Sequence, residues 1–141
     1  VTPEQRRAVV AEAMAWVGTP YHHHARIKGV GVDCAQLICA VFEACGLTPH
    51  VDTGHYPVCW HLHRGAELFE QALARYCRRL HDAPAAPGDV AVYRYGRCYS
   101  HGALVVDGGL QVHAYIGRGV ILSAPNEEPL DGRPVRYWTL Q

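Results

Sequence analysis

Cys34 stands in GVGVDCAQL (29–37), where glycines and an aspartate give way to apolar residues at helical spacing. A sulfur at a helix start lies near unpaired backbone N–H groups and the positive end of the helix dipole, both of which favour thiolate over thiol. Cys34 is therefore a candidate nucleophile. For any one cysteine the plainer alternative is a small buried residue at a helix start. Thiol catalysis also needs a base to carry the proton to the leaving group, and a third polar group to hold that base. Two histidines qualify by position: His101 opens SHGALVV, and His113 sits in LQVHAYI on the next strand-like run.

Whether the two rings meet depends on the DGG turn between them. A two-residue Gly108-Gly109 loop sets His113 opposite Leu104 and leaves His101 on the other face. A three-residue Asp107-Gly108-Gly109 loop, a type I turn with a left-handed glycine, pairs Val106 with Leu110 and His113 with Ala103. His101 is then two positions along on the same face, a diagonal pair with Cα atoms roughly 7–8 Å apart, within hydrogen-bonding reach of two imidazoles.

The elements that carry these residues follow from periodicity. Thr2-Pro3-Glu4-Gln5 reads as an N-cap, a proline at the first helical position and a capping-box glutamine. Val9, Val10, Ala13, Met14, Trp16 and Val17 continue that first helix to Gly18 and Pro20. Residues 21–32 read as loop. A second helix starts with Asp33 as N-cap, turns Leu37, Ile38, Val41, Phe42 and Cys45 inward, and stops at Gly46. Cys34 shares that inward face, which places its sulfur at the seam with whatever the helix packs on. Residues 46–60 read as loop, and Leu62, Ala66, Phe69, Leu73, Tyr76, Cys77 and Leu80 predict a third helix over 61–80. After HDAPAAPGD the period becomes two, with short runs at 89–95, 101–106, 110–116, 119–123 and 134–140. Helices followed by strands predict one α+β domain over 1–141, its N-terminal helices packed on one face of an antiparallel meander.

Composition excludes several classes. With 49% hydrophobic residues and zero formal net charge over 141 residues, the chain is neither disordered nor a general nucleic-acid binder. It has no apolar run of membrane-spanning length, and VTPEQRRAVV is polar and basic rather than a secretory leader, which predicts a soluble chain that does not export itself. The six cysteines contain no C-x-x-C pair, and three fall on the second helix, so reduced thiols are expected. HHH at 22–24 and HLH at 61–63 lack the spacing of a metal site; the triplet is read as substrate-groove or partner surface, with no metal and no cofactor.

The segments WVGTPY, GVDCAQL, PGDVAVY, SHGALVV and LQVHAYIGRGVI resemble, in order and spacing, the NlpC-type cell-wall cysteine peptidases, a papain-like family. WHLHRG at 60–65 resembles the phage-tail and gene-transfer-agent members. The resemblance implies Cys34 as nucleophile, His101 as general base and then acid, and His113 as the orienting residue. It places Tyr21, Asp33, Ala35 and Gln36 at the substrate or oxyanion, although Ala35 and Gln36 depart from the serine and glycine of the family's D-C-S-G. It implies a thiolate–imidazolium pair with the thiol's pKa lowered by the helix start. The implied reaction is hydrolysis of the γ-D-glutamyl–diaminopimelate amide of peptidoglycan stem peptides. The implied setting is a tail particle, with hub or baseplate partners, acting in the periplasm of a target cell after synthesis in the cytoplasm. Two rivals keep the scaffold: a catalytically weak structural or peptidoglycan-binding tail component, and an acyltransferase or amidase acting on a lipid or other amide.

Overall fold

A computed structural model describes residues 1–54, 56 and 67–141. Helix α1 (Pro3–Ala15) opens with the expected reciprocal cap: Gln5 N donates to Thr2 Oγ1 at 3.1 Å and Thr2 N to Gln5 Oε1 at 2.7 Å. Its inner face buries Val9 and Ala13, followed by Trp16, whereas Met14 and Val17 face solvent. Residues 21–32, read as loop, contain a small antiparallel pair, β1 (Arg26–Ile27) and β2 (Gly31–Val32). Strands this short carry too little alternation to be seen in sequence.

Helix α2 (Cys34–Ala44) is capped by Asp33, whose Oδ1 accepts from Gln36 N at 2.9 Å, and it buries Leu37, Ile38, Ala40, Val41 and Phe42. Gly46, at φ +69°, closes it, with Leu47 N donating back to Phe42 O. The expected third helix is cut short. Among the described residues only Leu68–Leu73 is helical (α3), while Cys77–Leu80 forms a strand, β3; residues 61–66 lie outside the described set. Tyr76, Cys77 and Leu80 fit helical spacing, but Cys77 is buried and Arg78 and Arg79 are exposed because the segment pairs with the last strand. Over four residues the two periods cannot be told apart.

The sheet is antiparallel, in the order β3-β8-β4-β5-β6-β7. Strands β4 (Val90–Tyr95), β5 (Cys98–Val105), β6 (Gln111–Tyr115) and β7 (Gly119–Ser123) form the expected meander. The last strand, β8 (Val135–Leu140), returns beside β4 instead of extending the sheet beyond β7, and β3 adds the edge on its far side. The return crosses the face away from the helices, where Leu130 is buried with Ala91, Tyr93, Ala103 and Val105. The opposite face, with Val90, Val92, Leu104, Val112 and Ala114, packs on α1 and α2. Each fully buried aliphatic there is worth ~1.5–3 kcal/mol.

Three short motifs fasten the helices to this sheet. Asp89 of Pro87-Gly88-Asp89 accepts from Arg6 Nη1 of α1 at 2.9 Å and from Ala86 N at 2.8 Å. Gly18 ends α1 at φ +94° and its N–H donates to Val120 O of β7, Val120 N donates back to Thr19 O, and Pro20 O accepts from Val32 N. Gly102 of β5 leaves the space occupied by Ile38 and Phe69; a Cβ there would lie 2.5 Å from each side chain. No helix among the described residues is long and apolar enough to cross a membrane.

Candidate active site

Cys34 is the first residue of α2, and its sulfur reaches the backbone of β5 on either side of His101. The thiol donates to Ser100 O at 3.7 Å, and the N–H of Gly102 lies close enough to act on the sulfur. The small Gly102 allows this approach, because Ile38, one turn further along α2, rests directly on it. Burial pushes the Cys34 thiol up to about 12; the Asp33 carboxylate adds to the rise, and the N–H groups of Gly102, Ala35 and Cys34 oppose it. The expected lowering by the helix start is therefore present and outweighed, since a thiolate withdrawn from water loses more than a few N–H dipoles return. A value raised this far favours the neutral thiol over a lone thiolate near pH 7.

The histidines meet as the three-residue turn requires. Asp107–Gly109 forms a single 3-10 turn with Gly108 and Gly109 at φ +74° and +73°, and Val106 N donates to Leu110 O. Leu104 pairs with Val112 and Val105 with Gln111, the register that sets His113 opposite Ala103. His101 Nε2 and His113 Nδ1 lie 2.8 Å apart with their rings nearly perpendicular. His113 is wholly buried, and burial followed by the charge of Arg118 pushes it down to about 4, so its ring is neutral. His101 is 8% exposed, and the rings of Tyr95 and Tyr115 lie 5.1 and 5.6 Å from its own.

The other expected site residues serve the helix start more than an open groove. Asp33 is buried; besides capping α2, its Oδ2 accepts from His24 N and from the Tyr56 hydroxyl. Gln36 is buried too, its Oε1 accepting from Arg26 Nε at 2.7 Å and its Nε2 donating to Thr53 Oγ1 and Tyr56 Oη. Ala35 lines a cavity of about 520 Å³ with Ile38, Cys39, Phe42, Tyr56 and Phe69. Tyr21 is half-buried against the core and bridges to Val32, two residues before Cys34. Of the histidine triplet, His23 Nε2 meets Tyr56 O at 2.8 Å and His24 Nε2 meets Gly54 O at 2.6 Å, so both rings hold backbone carbonyls that follow the second helix. Among the described residues no His, Cys, Asp and Glu group is arranged to hold a metal ion. Cys34, Cys39, Cys45 and Cys77 are free thiols; Cys59 and the WHLHRG segment lie outside the described residues.

Two contributors were not visible in sequence. Ser123 Oγ of β7 lies 3.0 Å from His113 Nε2 and extends the histidine pair by one link. Tyr56 joins Asp33 to Gln36 across the helix start. Ser123 sits beside His113 only because Gln111 pairs with Ser123 across β6 and β7, a register no local signal announces.

The same fold occurs in solved structures. The NlpC/p60 domain of the peptidoglycan hydrolase SagA matches with TM-score 0.64 and 21% identity over 93% of this chain and 96% of that one. The peptidoglycan hydrolase RipB of Mycobacterium tuberculosis matches with TM-score 0.65 and 18% identity, over 98% of this chain and 66% of that one. RipD of the same organism, described as a non-catalytic NlpC/p60 domain protein adapted to peptidoglycan binding, matches with TM-score 0.63 and 17% identity, over 99% of this chain and 100% of that one. The chain spans less than half the length of several other matched structures. No protein of curated function matches the sequence. The sequence itself fits the model of the NlpC/P60 family from residue 18 to residue 139, nearly the whole chain beyond α1, and the chain belongs to that family.

Proposed function

We propose that the chain is a cysteine peptidase acting on peptidoglycan stem peptides, with Cys34 as nucleophile, His101 as base and acid, and His113 as the orienting residue. The observation that carries this reading is the 2.8 Å contact between His101 Nε2 and His113 Nδ1 on the strand whose backbone the Cys34 sulfur touches. Because the thiol is neutral at rest, its proton passes to His101 as sulfur attacks the amide carbonyl, and the two charges form together. The tetrahedral oxyanion is held by donors that include the Cys34 backbone N–H, with Tyr21 as a further candidate. His101 then protonates the leaving amine, the C–N bond breaks, and a thioester remains on Cys34. His101 next takes a proton from water, hydroxide adds to the thioester, and the acid leaves as the thiol is restored. His113 keeps the imidazole aligned through both halves.

The preferred bond is the γ-D-glutamyl–diaminopimelate amide, and the setting is a phage-like or gene-transfer-agent tail that opens the wall of a target cell; the WHLHRG segment supports that setting. A second reading, a peptidoglycan-binding protein without turnover, draws on the likeness to RipD and on the raised thiol pKa. Mass spectrometry of muropeptides digested with the wild type and with Cys34→Ala separates the two. New stem-peptide termini produced by the wild type alone establish the peptidase. Wall binding by both with no new termini establishes the binding protein.

A further inference from the structure

We infer that Ser123 is a positioning residue of this site: its hydroxyl accepts the Nε2 proton of His113, and in doing so sets the tautomers through which His101 serves Cys34. The inference rests on the triad reading above and adds a member to it. A neutral imidazole carries one N–H and one bare nitrogen, so a line of two histidines ending on a hydroxyl has only two consistent proton arrangements. In one, His101 Nε2–H donates to His113 Nδ1, His113 Nε2–H donates to Ser123 Oγ, and His101 Nδ1 is left bare to act as base. In the other every donor is reversed, His101 carries its proton on Nδ1, and the base is lost.

Catalysis selects between them. Once His101 has taken the thiol's proton both its nitrogens donate, and His113 Nδ1 must accept across the 2.8 Å contact. The neutral His113 that can do so holds its proton on Nε2, 3.0 Å from Ser123 Oγ. His113 is fully buried and Ser123 is 3% exposed, so bulk water does not readily replace the hydroxyl. Burial also keeps His113 neutral, which makes its single proton decisive. Without Ser123 the tautomer that catalysis needs carries a buried, unpaired N–H, and the reversed arrangement becomes the cheaper one. Ladder geometry fits the role: His113 pairs with Ile121, and Ser123 lies two residues on, beside Gln111 and on the same face.

Three variants test this: Ser123→Ala, Ser123→Cys, which keeps the volume but is a poor acceptor, and Ser123→Thr, which keeps the hydroxyl. Nitrogen-15 NMR of histidine-labelled wild type should show His113 protonated on Nε2, a result that needs no variant to fold. In Ser123→Ala and Ser123→Cys the His113 signals should move toward the Nδ1–H form. Muropeptide turnover should fall roughly tenfold in kcat with KM little changed, the scale of one neutral hydrogen bond. Ser123→Thr should retain both properties. A wild-type His113 protonated on Nδ1, or a folded Ser123→Cys with wild-type tautomer and kcat, would overturn the inference. If the wild type shows no turnover, the peptidase reading falls separately, and the His113 tautomer with the rate of Cys34 alkylation still decides the role of Ser123.

Discussion

The Cys34 thiol is half-buried and the His113 imidazole fully buried, and desolvation moves them in opposite directions, the thiol up to about 12 and the imidazole down to about 4. Both end neutral, yet their surroundings differ in kind. Around the start of α2, Asp33, Gln36, Tyr56, His24 and Arg26 form a branched network that fastens loops to the helix. On the hairpin side, hydrogen bonds among the described residues run in a line from His101 to His113 to Ser123. A branched network fixes where the sulfur stands and tolerates the weakening of one bond. A line fixes where a proton stands, and breaking one link changes the whole. Position and protonation are thus assigned to separate parts of the fold.

The comparison breaks most completely at its two ends. Cys34→Ala and His101→Ala should each remove turnover, by on the order of 10⁵-fold or more. Alkylation tells them apart from simple disruption. With the proposed base gone, iodoacetamide should label Cys34 slowly at pH 7 and faster only as pH climbs from 9 toward 12. Rapid labelling of folded His101→Ala at pH 7 would mean that the helix start alone makes the thiolate.

Next in size is the turn. Removing Gly108 or Gly109 shifts the hairpin register by one and carries His113 to the face now holding Val112 and Ala114. Turnover should drop by on the order of 10²–10⁴-fold, matching His113→Ala, which leaves the register intact. Thermal melts alongside distinguish a misaligned site from an unfolded chain. A folded deletion variant with full activity would show that His101 needs no partner on β6.

Acid tests the neutral half. An unfolded His113 titrates near 6.5 and the folded one near 4, so between these values the unfolded chain holds its proton more tightly. The stabilising difference is full above pH 6.5 and is lost as pH falls through 4, up to about 3 kcal/mol. Urea unfolding at pH 7, 5.5 and 4.5 should track that decline, and His113→Gln should flatten it. A smaller effect belongs to the contact that seats the sulfur. Gly102→Ala places a Cβ against Ile38 and Phe69, should cost about 1–3 kcal/mol, and should recover in part with Ile38→Val, as read by melts and kcat together. A chelator should change nothing; loss of activity restored by zinc would require a ligand set that includes residues beyond those described.

Much of this was legible because the signals are local. The Thr2 and Asp33 caps, the stop at Gly46 and the four-strand meander arise from side chains acting on their own backbone within a few residues. The DGG turn narrowed His101 and His113 to two registers, and the structure takes the three-residue one, in which they share a face. Segments with competing periods were not legible. Tyr76 to Leu80 satisfies a helix and a strand equally, and only the free edge of β8 settles it.

By itself, then, the sequence singled out Cys34, His101 and His113 as candidates and named the elements that carry them, with the two histidines on one face only if the DGG turn closes as a three-residue loop. Tertiary structure decided the rest. It returned β8 to β4, brought Ser123 to His113, turned Gln36 inward, and set the half-buried Cys34 sulfur against β5, where desolvation outweighs the lowering that its helix start favours. The physical reason is range. Caps, turns and alternation are settled within one element, whereas desolvation and inter-strand register depend on what other parts of the chain exclude from water, and that is decided only when they pack.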